Sequence, residues 1–88
     1  MQKSTHTQEY QAALNEIREL RRAAGLTQRA LASLLDVSPS WVAKVESGER
    51  RLDLLEFYRL CLSCGRDPAG VSKRLFKVFR SGQAGRRV

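Results

Sequence analysis

The hydrophobic pattern of this chain has a single period. Apolar residues recur three and four positions apart, as on one face of an amphipathic α-helix, and no segment alternates in the manner of a half-buried strand. The longest such stripe, which includes one arginine, comprises Tyr10, Ala13, Leu14, Ile17, Leu20, Arg21 and Ala24. It predicts a first helix over Gln8–Ala24, which Gly25 ends.

Capping residues and prolines divide the rest of the chain into four more helices. Thr27 and Ser38 carry side chains that cap helix N-termini, and Pro39 suits the first position of a helix. Asp67 and Pro68 repeat the order of cap and proline. These signals predict helices over Gln28–Leu35, Pro39–Ser47, about Asp53–Cys64 and about Pro68–Arg80. The sequence therefore predicts an all-α fold with five helices.

The same spacing assigns an inward face to the short helices. In the second helix we expect the core-facing residues to be Leu31, Leu34 and Leu35. In the fourth helix one apolar face consists of Leu54, Phe57, Tyr58 and Cys61.

Length and composition exclude several classes of protein. The chain has 88 residues, which is enough for one small domain. No apolar run is long enough to span a bilayer, and Met1–Glu9 lacks the hydrophobic region of a secretory signal. We therefore expect a cytoplasmic protein that does not enter a membrane.

The cysteines and the histidine do not predict a chemical site. Two cysteines and one histidine are too few for a disulfide framework or a closed zinc site. Cys61 and Cys64 form a CxxC pair, but their place on a helix and the lack of a second pair favour buried, small apolar side chains. Because no catalytic constellation occurs, we expect no cofactor, no metal and no enzymatic activity.

Charge is concentrated at the C-terminal end of the chain. The formal net charge is +7, which indicates a polyanionic partner. The segment 68–88 contains no acid and six cations, namely Lys73, Arg74, Lys77, Arg80, Arg86 and Arg87. The cations on the fifth helix form either a solvated face or a face that binds an anion, and both interpretations remain open. Residues 81–88 are small and polar, and we expect them to form a flexible basic tail beyond a domain of residues 1–80.

The most informative stretch is Gln28–Ser47, where two short helices are joined by a tight turn. Ala32 is small where the second of these helices must approach closely, and Leu35, Val42 and Val45 can pack the two helices together. This arrangement predicts a helix-turn-helix unit.

Two segments of the chain carry a resemblance to a known family. Ile17–Gln28 and Val37–Arg50 resemble the Cro and phage-repressor-type helix-turn-helix regulators, also called the xenobiotic-response-element (XRE) family. The resemblance covers roughly residues 14–70 and implies a lambda-repressor-like DNA-binding domain with its helix-turn-helix at residues 28–47. One departure is Asp36, where the family usually has glycine, but aspartate adopts the left-handed conformation at modest cost.

The resemblance implies where DNA would bind. In this fold the outer face of the third helix enters the major groove, and Lys44 is the best donor there to guanine O6 or N7. The expected base contacts are Pro39, Ser40, Ala43 and Lys44. The expected contacts with the DNA backbone are Thr27, Gln28, Trp41, Ser47, Arg50 and Arg51. For Trp41, a packing role and an indole contact with a phosphate both remain open.

The resemblance also implies a structural ion pair and a homodimer. Arg21 and Glu46 match positions that form a buried pair in the family. A domain of this size contacts one half-site, so useful affinity needs a second copy about one DNA turn (~34 Å) away. The apolar residues of the fifth helix span roughly 160°, which is wider than one small core needs. We therefore expect a dimer interface that includes Val71, Leu75, Phe76 and Phe79.

The expected function is that of a sequence-specific transcriptional regulator of bacterial or phage origin, associated with the nucleoid. A repressor that binds a double-stranded palindromic operator is favoured, because so short a chain leaves no residues for an effector domain. The alternatives are an antitoxin-like or restriction-controller-like regulator and, in a different class, a protein-interaction module with the same fold. Salt-dependent retention on DNA would separate the last of these from the others.

Overall fold

The computed structural model describes residues 7–82 and contains five α-helices in that range. They are α1 (Gln8–Ala23), α2 (Gln28–Leu35), α3 (Pro39–Ser47), α4 (Leu54–Ser63) and α5 (Pro68–Gly82). Each bound lies within two residues of the prediction. The all-α architecture is therefore confirmed. Most of the predicted tail lies outside the described residues, and its first two residues extend α5.

Helix starts are fixed by side chains that accept backbone N–H groups. Thr7, Thr27, Ser38 and Asp53 each accept the amide of the residue three positions further on. Such a cap contributes typically about 1 kcal/mol. Asp36 ends α2 with φ 59° and ψ 47°, in the left-handed region. The aspartate therefore takes the conformation that glycine usually supplies in this turn.

Helix α1 packs against both α3 and α5. On one flank the side chains of Arg18 and Arg21 reach Glu46 of α3. On another flank Glu16 bonds Arg74 of α5, and the two helices pack extensively. Helix α2 packs on α3 and α4, and α4 also packs on α5. The core residues are Ala13, Leu14, Ile17, Leu20, Leu31, Ala32, Val42, Leu60, Cys61, Cys64, Val71 and Leu75.

The inward faces predicted for α2 and α4 are partly wrong. Leu34 is 59% exposed, because α3 and α4 cover the side of α2 that carries Leu31 and Ala32. On α4, Leu54 is 84% exposed and Tyr58 is 49% exposed. The side that packs inward carries Leu60, Cys61 and Cys64 with Phe57, so the apolar arc of α4 extends well beyond its buried part.

Two of the four residues predicted for a dimer interface, Val71 and Leu75, are not on the surface of the single chain. Their exposed fractions are 4% and 8%, and both belong to the core of the single chain. They face inward because α1 and α4 cover that side of α5. Phe79 is half-buried against the same core, whereas Phe76 is 62% exposed. Of the four predicted residues, Phe76 is the one that a second chain can reach without disturbing the core.

The two cysteines are core residues, as their sequence context suggested. Cys61 and Cys64 are free thiols with buried side chains. Burial raises the pKa of Cys61 to about 11 and raises that of Cys64 as well. Within residues 7–82 no cluster of histidine, cysteine or acidic side chains is arranged to hold a metal. In the same range, no helix is both long and apolar enough to cross a bilayer.

Candidate nucleic-acid interface

The outer face of α3 is polar and open to solvent. Val42 and Val45 are buried and hold the helix against the core, which turns the opposite side outward. Pro39, Ser40, Lys44 and Ser47 are exposed, and Ala43 is half-buried beside them. The structure thus brings the four predicted base-contact residues together on one accessible surface. Lys44 forms no ion pair with any described residue, so its ammonium group is available to an acceptor.

The N-terminus of α2 presents hydrogen-bond donors. Thr27 caps the helix by accepting the amide of Ala30 at 3.0 Å, and Leu31 N–H donates to the Thr27 carbonyl. Within the described part of the chain, the amides of Gln28 and Arg29 have no such acceptor. Free N–H groups and the helix dipole make such an N-terminus a suitable site for a phosphate.

Arg21 and Glu46 form the predicted ion pair, which joins α1 to α3. The Nε of Arg21 donates to Glu46 Oε2 at 2.7 Å, and a second guanidinium nitrogen donates to Oε1 at 3.1 Å. Glu46 is 3% exposed, and its hydrogen bond raises the pKa of Arg21. The remaining guanidinium nitrogen donates to the Leu26 carbonyl at 2.9 Å. Every polar group of this buried pair therefore has a partner, as buried charges require.

Gln28 connects the buried ion pair to the N-terminus of α2. Its Nε2 donates to Glu46 Oε1 at 3.0 Å. Since a side-chain amide has two N–H donors, one remains for an outside acceptor. The ion pair thus holds Gln28 at the point where the resemblance expects a phosphate.

Arg50 is not the free cation that a phosphate contact would need. Its guanidinium donates to both carboxylate oxygens of Glu56 at 2.9 Å and to the Arg51 carbonyl at 2.7 Å. It also lies over the Trp41 ring, 4.9 Å from the ring centroid. Trp41 packs against the core on its other side, so its packing role is observed. Arg51 is exposed and forms no ion pair within residues 7–82, which makes it the available cation after α3.

Ser47 and Glu49 adjoin each other at the end of α3. Ser47 Oγ lies 3.2 Å from the Lys44 carbonyl and 3.3 Å from a carboxylate oxygen of Glu49. The hydroxyl group therefore has acceptors within the protein. An approaching phosphate would meet the Glu49 charge unless that side chain turned away.

Two residues that position this surface were not predicted. Arg18 donates to the carbonyl of Glu46 near the end of α3, and Leu52 N–H donates to the Tyr10 hydroxyl at 3.2 Å. For Arg18 a signal existed, because it precedes Arg21 by three positions and so shares its side of α1. No local sequence pattern predicts the hydrogen bond of Tyr10, since its partner Leu52 is 42 residues away in the chain.

Glu56 should make stability depend on pH in the acid range. The hydrogen bonds from Arg50 and from the Asp53 backbone lower the pKa of Glu56. A lowered pKa in the folded state stabilises the protein above the unfolded value of about 4.3 and loses that contribution as pH falls through the folded value. The pair is partly exposed, so we expect Glu56→Gln to cost about 0.5–1 kcal/mol near pH 7.

Urea denaturation of both proteins across the acid range measures this difference. Glutamine keeps an acceptor for the Asp53 amide, which preserves the capping box and isolates the effect of charge. The gap between wild type and Glu56→Gln should close below about pH 4. A gap that stayed constant with pH would show that the charge contributes nothing.

Two short helices at a tight turn, with the second exposing its polar face, define a helix-turn-helix protein. Comparison with known proteins agrees with this class. A family model described as "Helix-turn-helix domain" matches residues 15–73. The chain belongs to this family, and within it to the regulators of the XRE type.

Solved structures give the same result. An XRE-family like protein from Pseudomonas syringae pv. tomato has 43% sequence identity and a TM-score of 0.75, and the match covers 78% of this chain and 84% of that one. The clp gene regulator ClgR from Corynebacterium glutamicum has a TM-score of 0.74 at 23% identity, with 90% and 84% covered, which shows a shared fold. No curated protein matches this chain.

Proposed function

We propose that this transcriptional regulator acts as a repressor that binds a palindromic operator as a two-fold dimer. The observation that carries the proposal is the outer face of α3, where Lys44 is exposed between Ser40 and Ser47 and has no ion-pair partner among residues 7–82. Repression requires only that an occupied operator overlap a promoter, so it is the simplest activity for such a surface.

The proposed roles follow from the positions of the side chains. Lys44 and Ser40 contact base edges, with Pro39 and Ala43 offering apolar contact to a thymine methyl group. Gln28 and the first amides of α2 bind one strand of the DNA backbone, and Arg51 binds the other. Thr27 and Ser47 flank these contacts. Trp41 and Arg50 support the segment after α3 rather than binding phosphate directly.

The proposed dimer uses the exposed part of α5. Phe76 projects beside an apolar groove of about 300 Å³ whose lining includes Tyr10, Leu54, Phe57 and Phe79. An exposed phenylalanine next to an apolar groove favours reciprocal insertion between two copies, because a two-fold axis brings the same patch onto itself. The Phe76 and Phe79 rings, with centroids 6.4 Å apart, then lie at the centre of the contact.

Replacing Lys44 tests the base-reading surface. We expect Lys44→Ala to reduce the preference for the operator over random duplex DNA by about 5–150-fold per half-site, since one good base contact is worth about 1–3 kcal/mol. Competition binding measures this ratio, with the operator first selected from random duplexes.

Two controls accompany this measurement. Arg66→Ala also removes one positive charge and should keep the wild-type ratio, because that residue is exposed and lies beside α1 and α5 rather than on α3. Gln28→Ala should weaken binding to all sequences alike, as expected for a phosphate contact. If Lys44→Ala kept the wild-type preference, α3 would not be the base-reading helix.

A further inference from the structure

Three exposed cations of α5 form a straight row. Lys73, Lys77 and Arg80 lie at positions i, i+4 and i+7, within about 60° of one another around the helix and along about 10 Å of its length. We call them the α5 row. Arg74, the fourth cation of this helix, is paired with Glu16 of α1. Among the described residues the α5 row has no ion-pair partner.

The α5 row faces directly away from the core. Val71 and Leu75 mark the buried side of α5, and the row lies on the opposite side of the helix. The exposed Phe76 lies between these two sides, toward the groove next to α4. The row is therefore accessible and is separate from the apolar contact proposed for the dimer.

The α5 row and the outer face of α3 belong to helices that pack on different flanks of α1. Helix α1 uses one flank to contact α3, through Arg18 and Arg21, and another flank to contact α5, through Glu16. Packed helices have axes about 8–10 Å apart, so α3 and α5 can be separated by up to about 16–20 Å across α1. Because α3 and α5 contact different flanks of α1, we expect their outer faces to point in different directions, which favours a separate duplex for the α5 row.

The composition of the α5 row favours DNA over a protein partner. No acidic residue follows Asp67 in the chain. Lysine is depleted in protein–protein interfaces, which have apolar centres, whereas interfaces with DNA are strongly positive. Three cations along about 10 Å of helix can each contact a phosphate of a duplex backbone.

We propose that the α5 row binds the phosphate backbone of a second DNA duplex, so that the protein bridges two DNA segments. This inference rests on the proposed binding of a first duplex by α3. The second contact is independent of sequence, because cations that meet phosphates carry no base information.

A co-capture experiment tests the bridge. A biotinylated operator duplex is immobilised, the full-length protein is bound, and a fluorescent duplex of unrelated sequence is added and washed. The wild type should retain the second duplex. With three phosphates contacted, its affinity for the second duplex should fall about 40-fold between about 50 and 200 mM salt.

Two triple variants, each of which removes three positive charges, distinguish a specific effect of the α5 row from an effect of total charge. Lys73→Gln/Lys77→Gln/Arg80→Gln should lose the second duplex and keep the affinity for the first, measured by fluorescence anisotropy. Arg22→Gln/Arg59→Gln/Arg66→Gln removes three exposed arginines elsewhere and should retain both. Thermal melts by circular dichroism establish that each variant is folded.

The remaining outcomes overturn the proposal in distinguishable ways. If the wild type binds the first duplex but never a second, the α5 row serves another partner, such as an acidic protein. If the α5-row variant still retains both duplexes, the two α3 helices of a dimer hold them. If that variant loses the first duplex, the row contacts the same DNA as α3. A wild type that binds no duplex at all contradicts the proposed function as well.

Discussion

Glu46→Ala is expected to destabilise the protein by roughly 3–5 kcal/mol, which is a large part of the stability of a small domain. The substitution strands the guanidinium of Arg21, which is held between α1 and α3 with little solvent access. It also removes the acceptor of Gln28. Urea denaturation followed by circular dichroism measures the loss. Arg21→Ala should cost a similar amount, because it leaves the Glu46 carboxylate buried without a counter-charge.

The double variant distinguishes a buried pair from two independent charges. Arg21→Leu/Glu46→Leu should cost much less than the sum of the single leucine variants, since neither buried charge is then left unpaired. The pair Lys73→Ala and Glu19→Ala, both exposed, should be additive with small losses. Small, additive losses for Arg21 and Glu46 would contradict the role assigned to this pair.

Phe76→Asp is expected to give a folded monomer and to weaken operator binding by roughly 10²–10⁴-fold. The carboxylate would enter the apolar groove of the partner copy without a hydrogen-bond partner, which prevents association. Loss of the second half-site removes the gain that two linked contacts provide. Phe76 is preferred to Phe79 for this test, because Phe79 packs against the core and its replacement would also disturb folding.

Sedimentation at tens of micromolar and operator titration measure the two effects of this change. Leu34→Asp is a matched control for the oligomeric state, because Leu34 is 59% exposed and lies on α2, which is not part of the proposed contact. This control should sediment as the wild type does. A wild type that is already a monomer, or a Phe76→Asp variant that stays dimeric, would rule out the α5 interface.

The helices were predictable because their ends depend on local chemistry. Each N-cap side chain accepts a hydrogen bond from the backbone amide three positions further on, as Thr27, Ser38 and Asp53 do. Such a short separation can be read directly from the sequence. The tolerance of Asp36 for the left-handed conformation is likewise a property of one residue.

Contacts that depend on tertiary geometry were harder to predict. The apolar residues of α4 spread over a wider part of the helix surface than the core covers. Cys61 is buried and Tyr58 is exposed because α2 and α5 pack on the side of α4 that carries Cys61. Arg50 is recognisable as a cation, but its pairing with Glu56 and its stacking on Trp41 depend on the path of the chain after α3. The network of Glu46 was partly predictable through family resemblance, whereas its bond to Gln28 was not.

The buried thiols provide this protein with an internal probe of its own opening. Cys61 is inaccessible and has a pKa of about 11, so at neutral pH it is both shielded and protonated. A thiol-specific reagent attacks the thiolate, and it can meet this side chain only when α4 separates from the core. Under conditions where reclosing is faster than labelling, the labelling rate therefore reports the free energy of that opening. Operator DNA that binds the closed state should slow labelling in proportion to its occupancy, which yields an affinity without any label on the DNA.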